Sequence, residues 1–418
     1  MFEKLQISDR RERWAVGLGD AGLAVAMAAL RPFGGQRPAA HPPRRILLLR
    51  LERIGDLLMA RPAIAAVRRL VPDATIDLVV GSWNEPIARL LEEVDRVETL
   101  DARWLARGAP APGFASLLAR ARAWRPTRYD LAINFEGDIR SHLLMACSGA
   151  SSRAGFDMAG GGPLLTCRVP YDPTRHVADN LLRLVEHALD VPRGSLQRTE
   201  ERLKVPPEAR ARAESLLAGG GQGVPGPRRT GAEPERPLSI GIQVGGGRVV
   251  KQWDPARFGV LAARLAERYP VQIVFTGSAD DRRLVAAALA HVPTHVPVVD
   301  VCGQVDLPTL AALLERFAVF ITGDTGPMHL AAAVATPLVA IFGPSDPRRW
   351  GPLSSTARIV RSDVACGPCN QIRRPPARCS DALADCLAAI DVDQVLEAVE
   401  QQLAARTGAA VETPDGRG

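Results

Sequence analysis

A chain of 418 residues, 46% hydrophobic and 23% charged, has room for two ordinary globular domains, and its 37 glycines and 34 prolines follow no collagen-like or disordered pattern. A net charge of +6 suits an anionic ligand or surface but falls short of a nucleic-acid coat, and the aromatic residues, only 5%, do not interleave with basic clusters. No apolar run reaches the roughly 18 residues of a membrane-spanning helix, and seven cysteines are too few for a disulfide scaffold.

The opening residues, Met1-Phe2-Glu3-Lys4 through Arg10-Arg11-Glu12-Arg13, are charged and mixed in sign. That start predicts no secretory signal and a cytoplasmic protein. The apolar stretch 14–30, flanked by Arg10, Arg11, Arg13 and Arg31, reads as a surface helix or lead-in, or as a segment lying in a membrane interface. After a Pro-rich run, 45–51 has the apolar density of a buried parallel strand. A helix over 56–70, closed by Pro72, comes next, then a strand at 76–80, a helix at 85–92 and a strand near 94–100. A strand at 129–135 and helices at 139–147 and 181–189 complete the first half. The Gly/Pro stretch 219–237 holds neither helix nor central strand and reads as a linker. Beyond it strands are predicted at 238–244, 271–276, 298–302, 319–322 and 338–342. Helices are predicted at 255–269, 281–291, 307–316 and 327–335. The alternation predicts an α/β protein with two doubly wound halves facing a cleft, ligands sitting beyond the carboxyl ends of the strands. The boundaries read as an N-terminal extension 1–43, a first domain 44–205, a Gly/Pro-rich linker region 206–237, a second domain 238–390, a terminal helix 391–405 and a flexible tail 406–418.

Three constellations stand out. Phe320-Ile321-Thr322-Gly323-Asp324-Thr325-Gly326-Pro327-Met328-His329 ends a buried strand in a glycine turn, and Pro327 falls where a helix would begin. Free N–H groups there suit an anion, Thr325 can donate its hydroxyl, Gly326 admits a phosphate to the backbone, and His329 can turn a ring N–H to the same place. A simple Asp/Thr cap fits the same residues. Gly245-Gly246-Gly247-Arg248-Val249-Val250-Lys251-Gln252-Trp253 also follows a strand. All but three of the 52 basic side chains are arginine, so Lys251 is notable: a compact point charge placed for a diphosphate, or else a solvated surface lysine. Finally, Asp56 in Arg53-Ile54-Gly55-Asp56 stands at a strand edge, as a general base or as a helix N-cap.

In this order the three pieces resemble glycosyltransferase family nine, the heptosyltransferases of lipopolysaccharide core assembly, from about residue 45 to 400. Pro62 to Val67 and Ala340-Ile341-Phe342-Gly343-Pro344-Ser345-Asp346-Pro347 add to the likeness. The resemblance implies the GT-B fold, two Rossmann-like domains with the acceptor on the N-terminal and the nucleotide-sugar on the C-terminal one. It implies Asp56 as catalytic base, Lys251 as the cation on the leaving diphosphate, and Gly246, Gly247, Lys251, Asp281, Asp324, Thr325, Gly326 and His329 as donor contacts. Arg53, Arg140 and His142 fall to the acceptor. The reaction implied is direct inversion, without a required cofactor or metal, moving a heptose-like sugar from an ADP donor to a lipopolysaccharide-core acceptor at the cytoplasmic face of the inner membrane. Gly245-Gly246-Gly247 stands where close heptosyltransferases carry threonines. Two rivals remain: a nucleotide-sugar epimerase or hydrolase of the same fold, and a non-catalytic nucleotide-sugar binder.

Other features read structurally. Cys366, Cys369, Cys379 and Cys386 fall within one Pro/Arg-rich stretch; their spacing suits a metal less well than thiols bracing a loop. Asp391-Val392-Asp393 mimics a metal-binding Asp-x-Asp but reads as a helix start. His176, Asp179 and Asn180 open the helix before 189, as a polar start or near the acceptor. Cys147, Cys167 and Cys302 look like core residues.

Overall fold

The computed structural model describes residues 10–30, 42–105, 112–199, 201–219, 237–380 and 383–407. The chain divides into two compact units, Met1–Glu200 and Glu201–Gly418.

The first unit runs α1 (Arg10–Leu30), β1 (Arg45–Arg50), α2 (Ile54–Leu70), β2 (Thr75–Val80), α3 (Glu85–Ala88) and β3 (Arg96–Thr99). It continues with α4 (Phe114–Arg122), β4 (Leu131–Asn134), α5 (Ile139–Cys147), β5 (Ser152–Phe156), β6 (Cys167–Val169) and α6 (Val177–Ala188). All six strands are parallel, in the order β3-β2-β1-β4-β5-β6. In β1, Ile46, Leu47, Leu48 and Leu49 are wholly buried, because a central parallel strand is covered on both faces. Leu48 lies opposite Leu78 on one side and Ile133 on the other.

Several expectations shift here. The helix after β1 begins at Ile54, so Asp56 is its third residue rather than its cap. The helix expected over 85–92 is only the single turn α3, preceded by a 3-10 turn at Ser82–Asn84. Strands β5 and β6 are too short and polar to stand out in the sequence. Helix α1 packs on the turn Gly162–Leu164, where the Gly161 N–H donates to Asp20 Oδ1 at 2.6 Å. Among the described residues no helix is long and apolar enough to cross a membrane.

The second unit runs α7 (Pro207–Gly219), β7 (Leu238–Gln243), α8 (Pro255–Arg268), β8 (Val271–Thr276), α9 (Arg282–Leu289), β9 (Val298–Asp300) and α10 (Leu307–Arg316). Then come β10 (Val319–Gly323), α11 (Gly326–Ala333), β11 (Leu338–Phe342), α12 (Pro347–Trp350), β12 (Arg358–Arg361), α13 (Asp385–Ala388) and α14 (Val392–Thr407). Its parallel sheet has the order β12-β11-β10-β7-β8-β9, the same plan counted from β7.

The linker expected over 206–237 is corrected in its first part. Residues 207–219 form α7, which buries Ala209 and Ala213 and packs on α10. Arg210 grips Glu315 with Nε at 2.7 Å and Nη2 at 2.9 Å, and Arg316 pairs with Glu214. Residues 220–236 and the tail beyond 407 lie outside the described residues. The Asp391-Val392-Asp393 sequence is a helix start: the Gln394 N–H donates to Asp391 Oδ1 at 2.8 Å, and Asp393 pairs with Arg264.

Candidate active site

In each sheet the strand order reverses once, between β1 and β4 in the first unit and between β7 and β10 in the second. Crevices open at such points beyond the carboxyl ends of the strands, and apart from Asp281, which follows β8, the sequence-predicted residues follow those four strands.

In the first unit, β1 hands the chain to α2 through a three-residue turn. Arg50, the last residue of β1, is 4% exposed. Its Nη2 donates to Asp56 Oδ1 at 3.3 Å, its Nε to Asp56 O at 3.0 Å and its Nη1 to Phe135 O at 2.8 Å. Asp56 Oδ2 accepts the Arg53 N–H at 3.2 Å, so the carboxylate ties down the helix start from inside the first turn. Its side chain keeps 23% of its surface open, enough for a hydroxyl to reach it. Across the switch point, Glu136 after β4 is buried, with Oε2 at 3.6 Å from Arg50 Nη1. Burial pushes the Glu136 carboxyl up to about 7; Arg50 pulls it down, and Asp56 and Asp138 push it further up.

Two of the three expected acceptor residues meet at one loop. Arg53 donates to Leu105 O and lies 4.8 Å over the Trp83 ring. Arg140 lies 4.6 Å over Trp104, and its Nε pairs with Asp138 Oδ1 at 2.9 Å. Trp83 and Trp104 escaped sequence reasoning; stacking of guanidinium on indole leaves no mark at fixed spacing. The expectation for His142 is corrected. It is wholly buried, Asn134 Nδ2 meets its Nδ1 at 2.7 Å, and its Nε2 meets Phe156 O at 2.8 Å. With the backbone carbonyl taking the Nε2 proton, Nδ1 accepts from Asn134. Burial holds the ring below its ordinary value, and it is a satisfied core histidine. His176 likewise caps α6, its Nδ1 accepting the Ala178 N–H at 3.0 Å, while Asp179 is gripped by Arg198.

In the second unit, Lys251 closes the turn after β7 and its Nζ meets Asp324 Oδ2, in the turn after β10, at 2.6 Å. Asp324 is nearly buried and Lys251 half-buried, so one ammonium proton faces the carboxylate and two remain for an anion. Thr325 is the N-cap of α11, yet its side chain makes no capping bond; its Oγ1 lies 3.0 Å from Thr322 Oγ1. The helix begins at Gly326, which places Pro327 second rather than first. His329 is buried in the first turns of α11.

Of the three glycines, Gly245 is the sterically demanding one: a Cβ there would stand 1.9 Å from Asp281 Oδ1. Gly246 would tolerate a Cβ, and its carbonyl accepts Gln252 Nε2 at 2.8 Å; Gly247 is exposed. Asp281 thus sits against the β7 turn, with Oδ2 accepting the Ser278 N–H at 2.8 Å and its hydroxyl at 2.7 Å. Behind the lysine turn, Trp253 is buried and donates its indole N–H to Ile390 O at 3.0 Å, and Arg257 donates to the carbonyls of Ala388 and Ile390.

Cys366, Cys369, Cys379 and Cys386 line one cavity of about 160 Å³ together with Val250 and Pro344. Burial, reinforced by the other three sulfurs, pushes the Cys386 thiol up to about 11. Among the described residues no three His, Cys, Asp or Glu side chains stand in a metal-ligating group. Cys302 is buried, but Cys147 and Cys167 are only half-buried, short of the core placement expected.

The family model of glycosyltransferase family 9 (heptosyltransferase) matches residues 117–377. Lipopolysaccharide heptosyltransferase 3 of Escherichia coli is 27% identical over 308 residues, 72% of this chain and 84% of that protein. The structure of the E. coli ADP-heptose lipopolysaccharide heptosyltransferase II aligns with a TM-score of 0.69 at 23% identity, covering 87% of this chain and 99% of the other. An iron-containing dodecameric glycosyltransferase of enterotoxigenic E. coli aligns at 0.53 and 16% identity, over 88% and 81% of the two chains. These likenesses show the fold: GT-B, with two Rossmann-like α/β units.

Proposed function

The chain belongs to glycosyltransferase family 9 (heptosyltransferase) and is a glycosyltransferase, and on that premise we propose that it moves a heptose-like sugar from an ADP-activated donor to a lipopolysaccharide-core-type acceptor, with inversion and without a metal. The observation that carries this reading is the second unit's switch point, where Lys251, held by Asp324, stands beside the uncapped start of α11. A fixed cation and a helix N-terminus are what a departing diphosphate needs. Asp56 takes the proton of the acceptor hydroxyl as its oxygen forms the bond to the anomeric carbon. The bond from that carbon to the diphosphate oxygen breaks, and the electron pair leaves with ADP. Asp281 and the Gly245-Gly246-Gly247 turn hold the nucleoside side of the donor, while Thr325, Gly326 and His329 hold the diphosphate side. Arg53 and Arg140, each stacked on an indole, meet acidic groups of the acceptor.

The acceptor is lipid-anchored in this reading, and α1 supplies the contact with the inner face of the membrane. Trp14, Leu18 and Val25 share one exposed face of α1, and Arg11 and Arg13 lie in its first turn. Co-sedimentation with anionic vesicles falls when residues 1–40 are removed; equal sedimentation of both forms ends that part of the proposal.

The donor reading is tested by thermal shift with nucleoside diphosphates. ADP raises Tm more than UDP or GDP at equal concentration, since stabilisation scales with ligand over Kd. Nucleotide release that ignores acceptor points instead to a hydrolase or epimerase. An Asp56→Ala protein with every property intact points to a non-catalytic binder.

A further inference from the structure

Because β1 and β4 are adjacent, residues separated by more than eighty positions meet around one guanidinium. Arg50 reaches Asp56 on one side through Oδ1 and the backbone carbonyl, and Glu136 on the other. Glu136 is tied to the same turn a second time: its Oε1 accepts the N–H of Leu51 at 2.7 Å and of Glu52 at 3.2 Å. Those two residues link β1 to the helix that carries Asp56. A carboxylate with no surface role therefore holds both the backbone leading to Asp56 and the cation beside it.

We propose that Glu136 is a positioning residue for glycosyl transfer: it pins the turn before Asp56 and, by sharing Arg50, keeps the guanidinium from closing over the Asp56 carboxylate, which leaves that carboxylate open to the acceptor hydroxyl. This rests on Asp56 as the base. An arginine given wholly to one carboxylate occupies its oxygens, and a second anion on the far side of that arginine opposes the effect. The charged groups that face Glu136 are Arg50 from β1, Asp56 from α2 and Asp138 on its own loop, while the turn contributes the backbone N–H of Glu52. The net balance places its ionisation near neutrality, so the charge that holds Arg50 off Asp56 appears as pH rises through that range.

The test compares Glu136→Gln and Glu136→Asp with the wild-type chain, following sugar transfer at saturating donor from about pH 5 to pH 9. Glu136→Gln keeps an oxygen for the two backbone N–H groups and removes the charge. It lowers plateau kcat by roughly ten-fold, moves the acid limb of the profile to lower pH by about half a unit or more, and leaves ADP affinity within about two-fold. Glu136→Asp, which retains the charge, keeps the wild-type acid limb. An unmoved acid limb in Glu136→Gln, or the same loss and the same limb in both variants, overturns the proposal by reducing Glu136 to a structural part. Asp56→Asn run alongside separates the two readings: full activity there overturns the base assignment itself, whereas an inactive Asp56→Asn with a wild-type Glu136→Gln profile overturns only the inference about Glu136.

Discussion

At the switch point of the first unit a guanidinium is enclosed between two carboxylates, whereas at that of the second an ammonium stands partly in solvent against one. The sheet plan beneath is the same. A buried cation shared between two carboxylates and two backbone carbonyls holds neighbouring groups in place. A half-buried lysine with one partner keeps hydrogens to offer an incoming anion. On the proposed reading one crevice serves proton transfer and the other anion binding, and the difference lies in the side chains that follow the central strands.

Four substitutions probe this contrast. Asp56→Asn has the largest expected effect, a loss of about 10²- to 10⁴-fold in kcat with ADP affinity retained, read by transfer assays beside nucleotide titration. Arg50→Met comes next. It leaves Glu136 and Asp56 without their shared cation and costs about 3–5 kcal/mol of folding stability, measured by denaturant unfolding. Lys251→Met loses about 10²- to 10³-fold in kcat and weakens ADP binding, with a smaller change in stability than Arg50→Met. A reversal of that stability order breaks the distinction between the enclosed and the open cation.

The smallest effect is a pH dependence. The Glu136 carboxyl ionises in the folded protein near 7, above its ordinary 4.5. Its contribution to stability is fully present below the ordinary value and is lost as pH rises through the folded one. The Tm of Glu136→Gln relative to wild type therefore increases between about pH 5 and pH 8. His142, held below its ordinary value, acts in the opposite direction and is common to both proteins, so the difference isolates Glu136.

Much of the scaffold was readable from apolar runs, since β1, β8, β10 and β11 are buried on every residue but the first of β1. Strand β12, with its Arg-Ile-Val-Arg sequence, was not, because an edge strand half in solvent loses that density. Helix α7 was hidden by the glycines that follow it. Lys251 and Asp324 were each legible from their own turns, and the contact between them follows from the pairing of β7 with β10. Glu136 gave no signal, as its importance arises from β1–β4 pairing and from burial, neither of which has a local spacing. His142 misled for a related reason: a basic residue just past a strand looks like a ligand contact until the strand and turn around it are seen to enclose it. Gly155 and Gly161 each leave room for its ring, where a Cβ would stand 2.8 Å from it.

Trp253, just past the lysine turn, reaches the carbonyl of Ile390, and Arg257 in α8 reaches those of Ala388 and Ile390, just ahead of α14. The stretch ahead of α14 thus works as a clasp behind the turn that carries Lys251. Shortening the protein from its C-terminal side to before residue 387 removes the wholly buried Leu387, Ile390, Val395 and Val399, and so strips the core of the second unit as well as the support behind Lys251.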